Sequence, residues 1–387
     1  MLLALLGALA LAPFYWLLTP ARRRRDVLAL ASLAVLVAYD PRVAAVVGGV
    51  ALGLFAALRA MRVPSTARHR VLVVGGLVAL AALFVWNKRG ARGGGVLPSQ
   101  GVVLLGVSYL VLKATAALVD GAGGADRRPD LGEIVAWLAF LPTYPAGPIE
   151  RLEHFAPQRP GFDRTRALGG LERILLGLVR ALLVAHYLGV WSDPILAEPA
   201  AHPRALRLLA LYAFTLRFYF DFAGYSDLAI GLAALFGYDI EENFDNPLVR
   251  RNLVQLWQRW HMTLTGWLRR HLFIPTSRAL LRRGWPDALA IGAAQLVTMV
   301  FCGLWHEIGW GFALWGASQA VGLVWVGIVA RDLGRRLPHA LVAWWRRSPV
   351  AYALSTALTF NAFALPLVFV VSSVGGGFRY LALLVRR

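Results

Sequence analysis

Apolar runs recur along almost the whole chain, and they constrain its fold more than any other feature. They fall near residues 2–18, 27–39, 43–60, 71–87, 101–119, 133–142, 169–190, 205–222, 226–237, 288–305, 309–330 and 350–373. Several approach the roughly 20 residues that carry an α-helix across a bilayer. In hydrocarbon every backbone N–H and C=O needs an internal partner, so runs of this kind fold as helices. Residues of the AVILMFWYC set make up 58% of the chain, where a soluble domain has about 45–50% apolar residues. The expected class is therefore an all-α polytopic membrane protein. Runs 27–39, 133–142 and 226–237 are too short to span alone. They predict tilted, re-entrant or interfacial segments around a cavity, because irregular backbone persists at membrane depth only inside protein or beside water.

The formal net charge is +19. In a soluble protein that excess would point to nucleic acid. Here the arginines sit at the ends of apolar runs: Arg22 to Arg25, Arg59 and Arg62, Arg282 and Arg283, Arg335 and Arg336, Arg346 and Arg347. That pattern marks cytoplasmic loops beside anionic lipid. Membrane lipids are thus the expected partners, and nucleic acid is not. The first basic cluster follows the first apolar run, the reverse of a signal peptide. We expect an uncleaved first helix with its N-terminus outside and Arg22 to Arg25 inside. One cysteine, Cys302, excludes a disulfide framework. Only two lysines occur, Lys88 and Lys113; the bias to arginine and alanine suggests a GC-rich bacterial genome, and so a bacterial plasma membrane. Polar stretches at 120–132, 150–168 and 238–252 punctuate the runs without forming a soluble domain. We read one membrane domain over 1–387, with N-terminal helices in 1–119, a core in 133–330 and a C-terminal helix at 350–373. The glycine clusters Gly93 to Gly95 and Gly375 to Gly377 read as loop or helix-end positions.

Ionisable residues inside the apolar runs carry the chemistry. Asp221 and Tyr225 are four apart and share a helix face, whereas Asp227 points elsewhere. Carboxylates in such surroundings are costly unless paired or wet. They either hold broken helices together or touch substrate. Further on, Trp257, Trp260, Leu264, Trp267, Leu268 and Leu272 predict one stripe of an amphipathic helix. Arg259, Thr263, Gly266 and Arg270 take its opposite face, and His261 falls within the apolar stripe. A lone histidine on an apolar face is usually a satisfied core residue. A second one, His306, raises the functional reading: it stands in FCGLWHEIGWGFALWG at 301–316, between two long apolar runs, where Gly303 and Gly309 allow a bend. An imidazole out of bulk water tends to stay neutral, the form a general base needs. Glu307 is adjacent to His306 and points about 100° away, and no HxxxH or HExxH spacing occurs, so no metal site is expected. Cys302 lies four residues before His306 and is read as a small core residue in preference to a nucleophile.

Four stretches together resemble the membrane-bound O-acyltransferase superfamily, in the bacterial branch of alginate O-acetyltransferases and teichoic-acid D-alanyl transferases. They are residues 15–42, FLPTYPAGPIERLEHFAPQ at 140–158, the block 218–275 with FDFAGYSDLAIGLAALFGY, ENFDNPL and WQRWHMTLTGWLR, and GLWHEIGWGFALWG. The resemblance implies a ring of roughly 10–12 tilted and re-entrant helices around a central tunnel. It implies His306 as the catalytic residue and His261 as its partner. Asp221, Tyr225, Asp227, Asn243 and Arg259 would shape the substrate pocket, with Trp257 and Trp305 beside the histidines. An acyl thioester donor, acetyl-CoA or an acyl carrier protein, would enter from the cytosol as a substrate, with no bound cofactor. A short acyl group, acetyl first, would pass toward an extracellular glycan or an acyl-accepting partner protein.

The chain departs from the family pattern at Glu307, where members carry glycine, and at Arg270 and His271, where many carry an acidic residue. Those changes bear on acceptor and donor and leave His306 in place. Two alternatives stand beside the leading one: D-alanyl transfer from a carrier protein to teichoic acid, and a non-catalytic transporter or scaffold. Transporters often show repeated halves, and the sequence shows no repeat.

Overall fold

The computed structural model describes residues 2–61, 66–90, 104–122 and 129–385; the cluster Gly93 to Gly95 lies outside them. The described residues are helical with connecting turns and contain no strand. Among the described residues six helical stretches are long and apolar enough to cross a membrane: Pro41–Ala60, Ala67–Arg89, Arg164–Ala197, Asp287–His306, Trp310–Arg336 and Pro349–Val371. The chain divides into two compact units, Met1–Gly177 with Ser226–Glu241, and Leu178–Tyr225 with Glu242–Arg387.

The first unit contains α1 (Leu2–Leu18), α2 (Arg24–Tyr39), α3 (Pro41–Ala60), α4 (Thr66–Gly90), α5 (Val107–Ala122), α6 (Leu131–Leu138), α7 (Leu152–Phe155) and most of α8 (Arg164–Leu178). Helix starts follow local chemistry. Asp40 accepts from the Arg42 N–H with Pro41 in the first turn, and Asp130 and Glu133 form a reciprocal capping box at α6. The stretch 140–158 is a turn-rich segment with Gly147 at φ +82°. Its aromatic residues enter the core: Phe155 stacks on Tyr238 at 4.8 Å, and Phe140 meets both rings at 5.0 Å. Lys113 is buried with its Nζ donating to the Trp137 carbonyl at 2.9 Å, and Trp137 Nε1 donates to the Glu150 carbonyl at 2.9 Å.

The expected break between runs 205–222 and 226–237 does not occur. Both belong to one 32-residue helix, α10 (Arg204–Leu235), reached through α9 (His186–Ala197). Gly224 and Ser226 are tolerated in its interior, since a glycine costs only about 1 kcal/mol there. Within the first unit its C-terminal part crosses α8 at Gly170 and Gly231. A Cβ on Gly231 would sit 2.6 Å from the Gly170 carbonyl oxygen, so only glycine permits that approach. At the same crossing Arg173 Nε holds Asp227 Oδ1 at 2.9 Å.

The second unit continues with α11 (Leu253–Trp257), α12 (Met262–Leu268), α13 (Ile274–Arg282), α14 (Asp287–His306), α15 (Trp310–Val324), α16 (Arg331–Arg336), α17 (His339–Arg347), α18 (Pro349–Ala364), α19 (Val368–Val371) and α20 (Val374–Val385). Gly375 to Gly377 lie in the first turn of α20, a helix-end position as expected. Among the described residues three wider π-type turns interrupt α-helical stretches, at Val179–Ala185, Arg269–Phe273 and Trp325–Ala330. Helices α14 and α15 form a tight hairpin through two glycines of the 301–316 motif. A Cβ on Gly303 would fall 2.0 Å from the Phe312 carbonyl oxygen, and one on Gly316 would fall 2.2 Å from that of Met299.

Candidate active site

The single amphipathic helix expected over 257–272 is broken at its centre. The chain leaves α11 after Trp257 and enters α12 at Met262, and His261 between them has φ +43°, in the left-handed region. A non-glycine residue held there costs about 1–2 kcal/mol and needs its surroundings to fix it. Asn243 supplies the fixing. Its carbonyl accepts from the Met262 N–H at 2.8 Å. Its side-chain Oδ1 accepts from His261 Nδ1 at 2.9 Å, from Thr263 Oγ1 at 2.9 Å and from the Thr263 N–H at 3.4 Å. Asn243 is fully buried and His261 nearly so. Because an amide oxygen only accepts, His261 carries its proton on Nδ1 in the neutral ring, and Nε2 holds the lone pair.

The apolar stripe is otherwise as expected: Trp257, Trp260, Leu264, Trp267 and Leu268 are buried, and Arg259, Gly266 and Arg270 are exposed. Thr263 differs. It was expected on the polar face and is buried, because the break at His261 turns α12 so that its hydroxyl meets Asn243.

His306 is the last residue of α14, and Glu307 follows in extended conformation, exposed, with its N–H on the Gly303 carbonyl at 3.1 Å. The ionisable pair therefore does not interrupt a helix: the helix ends between its two members. His306 is half-buried among aromatic rings, with Trp305 at 4.9 Å, Trp315 at 5.9 Å and Phe312 at 6.5 Å between centroids. Phe222 meets His261 edge-on at 4.7 Å and Phe244 lies over it at 6.4 Å. The two histidines lie close enough to act on each other electrostatically. Trp315 also contacts Trp257 at 6.0 Å, and Trp257 Nε1 donates to Gln319 Oε1 at 3.3 Å. Trp257 lines a cavity of about 290 Å³ together with Gln258, Thr265, Arg269, Thr298 and Met299. Cys302 is buried one turn before His306 on the same helix.

The remaining sequence candidates spread over both units. Trp305 is buried beside His306. Asp221 is exposed and Tyr225 half-buried on α10 of the second unit. Asp227 belongs to the first unit, where it is buried against Arg173. Arg259 is exposed and paired with Asp245. Sequence reasoning did not single out Gln319, Phe222, Phe312 or Trp315. Gln319 was the legible one of these, an amide inside a long apolar run.

Among the described residues one group brings metal-type ligand atoms together: Glu150, His154 and Glu241 of the first unit, within 4.8 Å of one another. Burial pushes the Glu150 carboxyl up, and the Glu241 N–H and His154 draw it back. Arg151 holds Glu241 with two bonds of 2.8 and 2.5 Å, and His154 pairs with Glu150.

Comparison with known proteins bears on what this site belongs to. The family model described as MBOAT, membrane-bound O-acyltransferase family, matches residues 99–337. The chain belongs to the membrane-bound O-acyltransferase family. Two of its relatives are a teichoic acid D-alanyltransferase of Streptococcus thermophilus, 30% identical over 231 residues (57% of this chain, 56% of the relative), and a probable alginate O-acetylase AlgI of Azotobacter vinelandii, 31% identical over 227 residues (57% and 43%). A peptidoglycan O-acetyltransferase of Helicobacter pylori is 28% identical over 199 residues (48% and 36%). The chain spans about half the length of the curated relatives it matches, or less. The O-acyltransferase family match covers both histidines, Asn243 and the α14–α15 hairpin. With six membrane-length helices, the chain is a multi-pass membrane protein of that family.

Proposed function

We propose that this chain is an O-acyltransferase that moves a short acyl group, acetyl first, from a cytosolic thioester to a hydroxyl of an extracellular envelope glycan or of a partner protein that hands it on. The observation that carries the reading is the pair of histidines within electrostatic reach, one of them locked by Asn243 in a single tautomer. In this reading His306 is the general base. It takes the proton of the acceptor hydroxyl as that oxygen attacks the thioester carbonyl. The tetrahedral intermediate collapses with loss of the thiolate, which takes the proton back. Because Nδ1–H of His261 is committed to Asn243, the neutral ring offers Nε2 only as an acceptor. We therefore assign His261 to orienting the hydroxyl or the His306 ring, not to donating to the oxyanion. Trp257, Trp305 and Trp315 would exclude water from the acyl group, and the cavity lined by Trp257, Gln258 and Arg269 is the proposed approach for the donor. Donor carriers are anionic, and the arginine excess would favour their approach from the cytoplasmic face of a bacterial plasma membrane.

D-alanyl transfer from a carrier protein is the second reading, because relatives of similar identity are named for it. One experiment separates the two. Membranes holding wild type, His306→Ala and His261→Ala at matched expression receive labelled acetyl-CoA, then labelled acetyl and D-alanyl carrier-protein thioesters. Transfer of label to glycan or partner protein by wild type, lost in His306→Ala, supports the assignment, and the productive donor chooses between acetyl and D-alanyl. Equal transfer by wild type and a well-folded His306→Ala would overturn it.

A further inference from the structure

A second, larger cavity of the second unit is bordered by neither His261 nor His306. Its volume is about 850 Å³, and its walls come from α11, the end of α15 with the π-type turn after it, the end of α17, and α18. Its size falls in the range of small-molecule sites, about 300–1,000 Å³. Ser355, Leu358, Thr359 and Ala362 line it from α18, a single stripe at i, i+3, i+4 and i+7. Leu253 and Trp325 form the apolar wall opposite, and Arg251, Trp345 and Arg346 stand at its polar end.

The chemistry of the walls is graded. Helix α17 ends in Trp344, Trp345, Arg346 and Arg347, all exposed, and α18 begins two residues later at Pro349. Tryptophan and arginine at the entrance of an apolar span mark the headgroup level of a bilayer. From Pro349 the lining stripe runs from about 9 Å to about 20 Å down the axis of α18, at about 1.5 Å per residue. The cavity thus extends from headgroup level into the depth of the acyl chains.

Its charge is one-sided. Arg251 donates to the carbonyls of Trp345 at 2.5 Å and Arg346 at 2.8 Å, two of the five donors a guanidinium carries. Its ring-facing side lies 5.6 Å from Tyr352. Asp245 in the preceding loop is taken by Arg250 and Arg259. Among the described residues no carboxylate pairs with Arg251 or Arg346. Two uncompensated cations over an apolar slot at headgroup level fit a molecule with an anionic head and a hydrocarbon tail.

We propose that this groove is a binding site for an anionic membrane phospholipid, its phosphate against Arg251 and Arg346 and one acyl chain along Leu253, Trp325 and Leu358. The lipid would tie α17 and α18 to α11, the helix that leads into the His261 break. The site stands independently of the acyl-transfer reading.

The test uses the full chain in detergent, titrated with phosphatidylglycerol, phosphatidylcholine or inorganic phosphate, with bound lipid counted by native mass spectrometry and thermal unfolding followed in parallel. Wild type should retain phosphatidylglycerol in preference to phosphatidylcholine. Arg346→Gln should weaken phosphatidylglycerol about fivefold, the loss of one cation at an anionic headgroup, without changing the lipid-free unfolding temperature, because its side chain is exposed. Leu358→Trp, which fills the slot, should abolish retention of both lipids; Ala362→Phe serves the same purpose should Leu358→Trp not fold. Equal retention of the two lipids by wild type would overturn the proposal. So would unchanged phosphatidylglycerol binding in folded slot-filling variants, or competition by inorganic phosphate, which would mark a free-anion site.

Discussion

Replacing Asn243 with alanine should damage this protein out of proportion to the atoms removed. Asn243 Oδ1 accepts two bonds of 2.9 Å, from His261 Nδ1 and Thr263 Oγ1, and a longer one of 3.4 Å from the Thr263 N–H. All three residues are buried. A buried donor left without an acceptor costs about 1–3 kcal/mol. The two short bonds therefore put Asn243→Ala at about 2–4 kcal/mol, allowing the threonine hydroxyl to turn toward another acceptor. Denaturant titration in mixed micelles measures that loss. A double-mutant cycle with Thr263→Val tests its cause. In wild type, Thr263→Val removes one bond from the hub; in Asn243→Ala that bond is already gone. The two substitutions should then couple by about 1–2 kcal/mol. Transfer activity should fall at least tenfold in Asn243→Ala, because the ring loses the bond that selects its tautomer. A stability within about 0.5 kcal/mol of wild type, or additive costs in the cycle, would refute the hub.

Three further outcomes follow from the geometry. Gly316→Ala should push α14 and α15 apart, since its Cβ would meet the Met299 carbonyl oxygen at 2.2 Å; we expect a loss of about 2–3 kcal/mol and of activity, read by thermal unfolding and label transfer, and a wild-type-like Gly316→Ala would contradict the close crossing. His261→Asn should fold nearly as well as wild type, because asparagine accepts φ near +43°, while His261→Ala pays a further 1–2 kcal/mol or so for the left-handed backbone; both should be inactive, and equal stability of the two would remove the backbone argument. Arg173→Ala should destabilise by about 3 kcal/mol by taking the guanidinium from buried Asp227, whereas Asp221→Asn, at an exposed position, should stay within about 0.5 kcal/mol; a rate defect in Asp221→Asn at normal stability would place that carboxylate at the substrate.

The helical class and most spans were legible because hydrocarbon forces long apolar runs into helices, and the place of His306 between two such runs was legible too, whereas its setting among Trp305, Phe312 and Trp315 was not. The break at His261 was hidden. Trp257, Trp260, Leu264, Trp267 and Leu268 keep helical spacing straight through it, so periodicity alone reads a continuous helix. What breaks the helix is a side chain 18 residues upstream in sequence, Asn243, which offers the backbone and the imidazole better partners than a helical turn does. The continuity of α10 was hidden for the opposite reason: glycine, serine and aspartate look like punctuation in a list, and a helix tolerates them when Gly231 meets Gly170 and Asp227 meets Arg173. That Asp227 and Asp221 have different surroundings could be read from their spacing; which of them would be buried could not, since it depends on the packing of α8.

The π-type turn at Arg269–Phe273 separates two obligations of the chain. Such a turn holds one residue more than an α-helical turn needs. Deleting one residue there would let the helix close while α13 keeps nearly its original phase, because the wide turn absorbs the extra residue, and buried Ser277 would stay on its face. Nothing upstream would have to change: α12 and the His261–Asn243 clasp end before it. The extra residue is slack: its loss would leave α13 and the imidazole in place and would be felt first at Arg269, in the cavity wall. Length changes among relatives should therefore be tolerated at 269–273 and purged between 243 and 263.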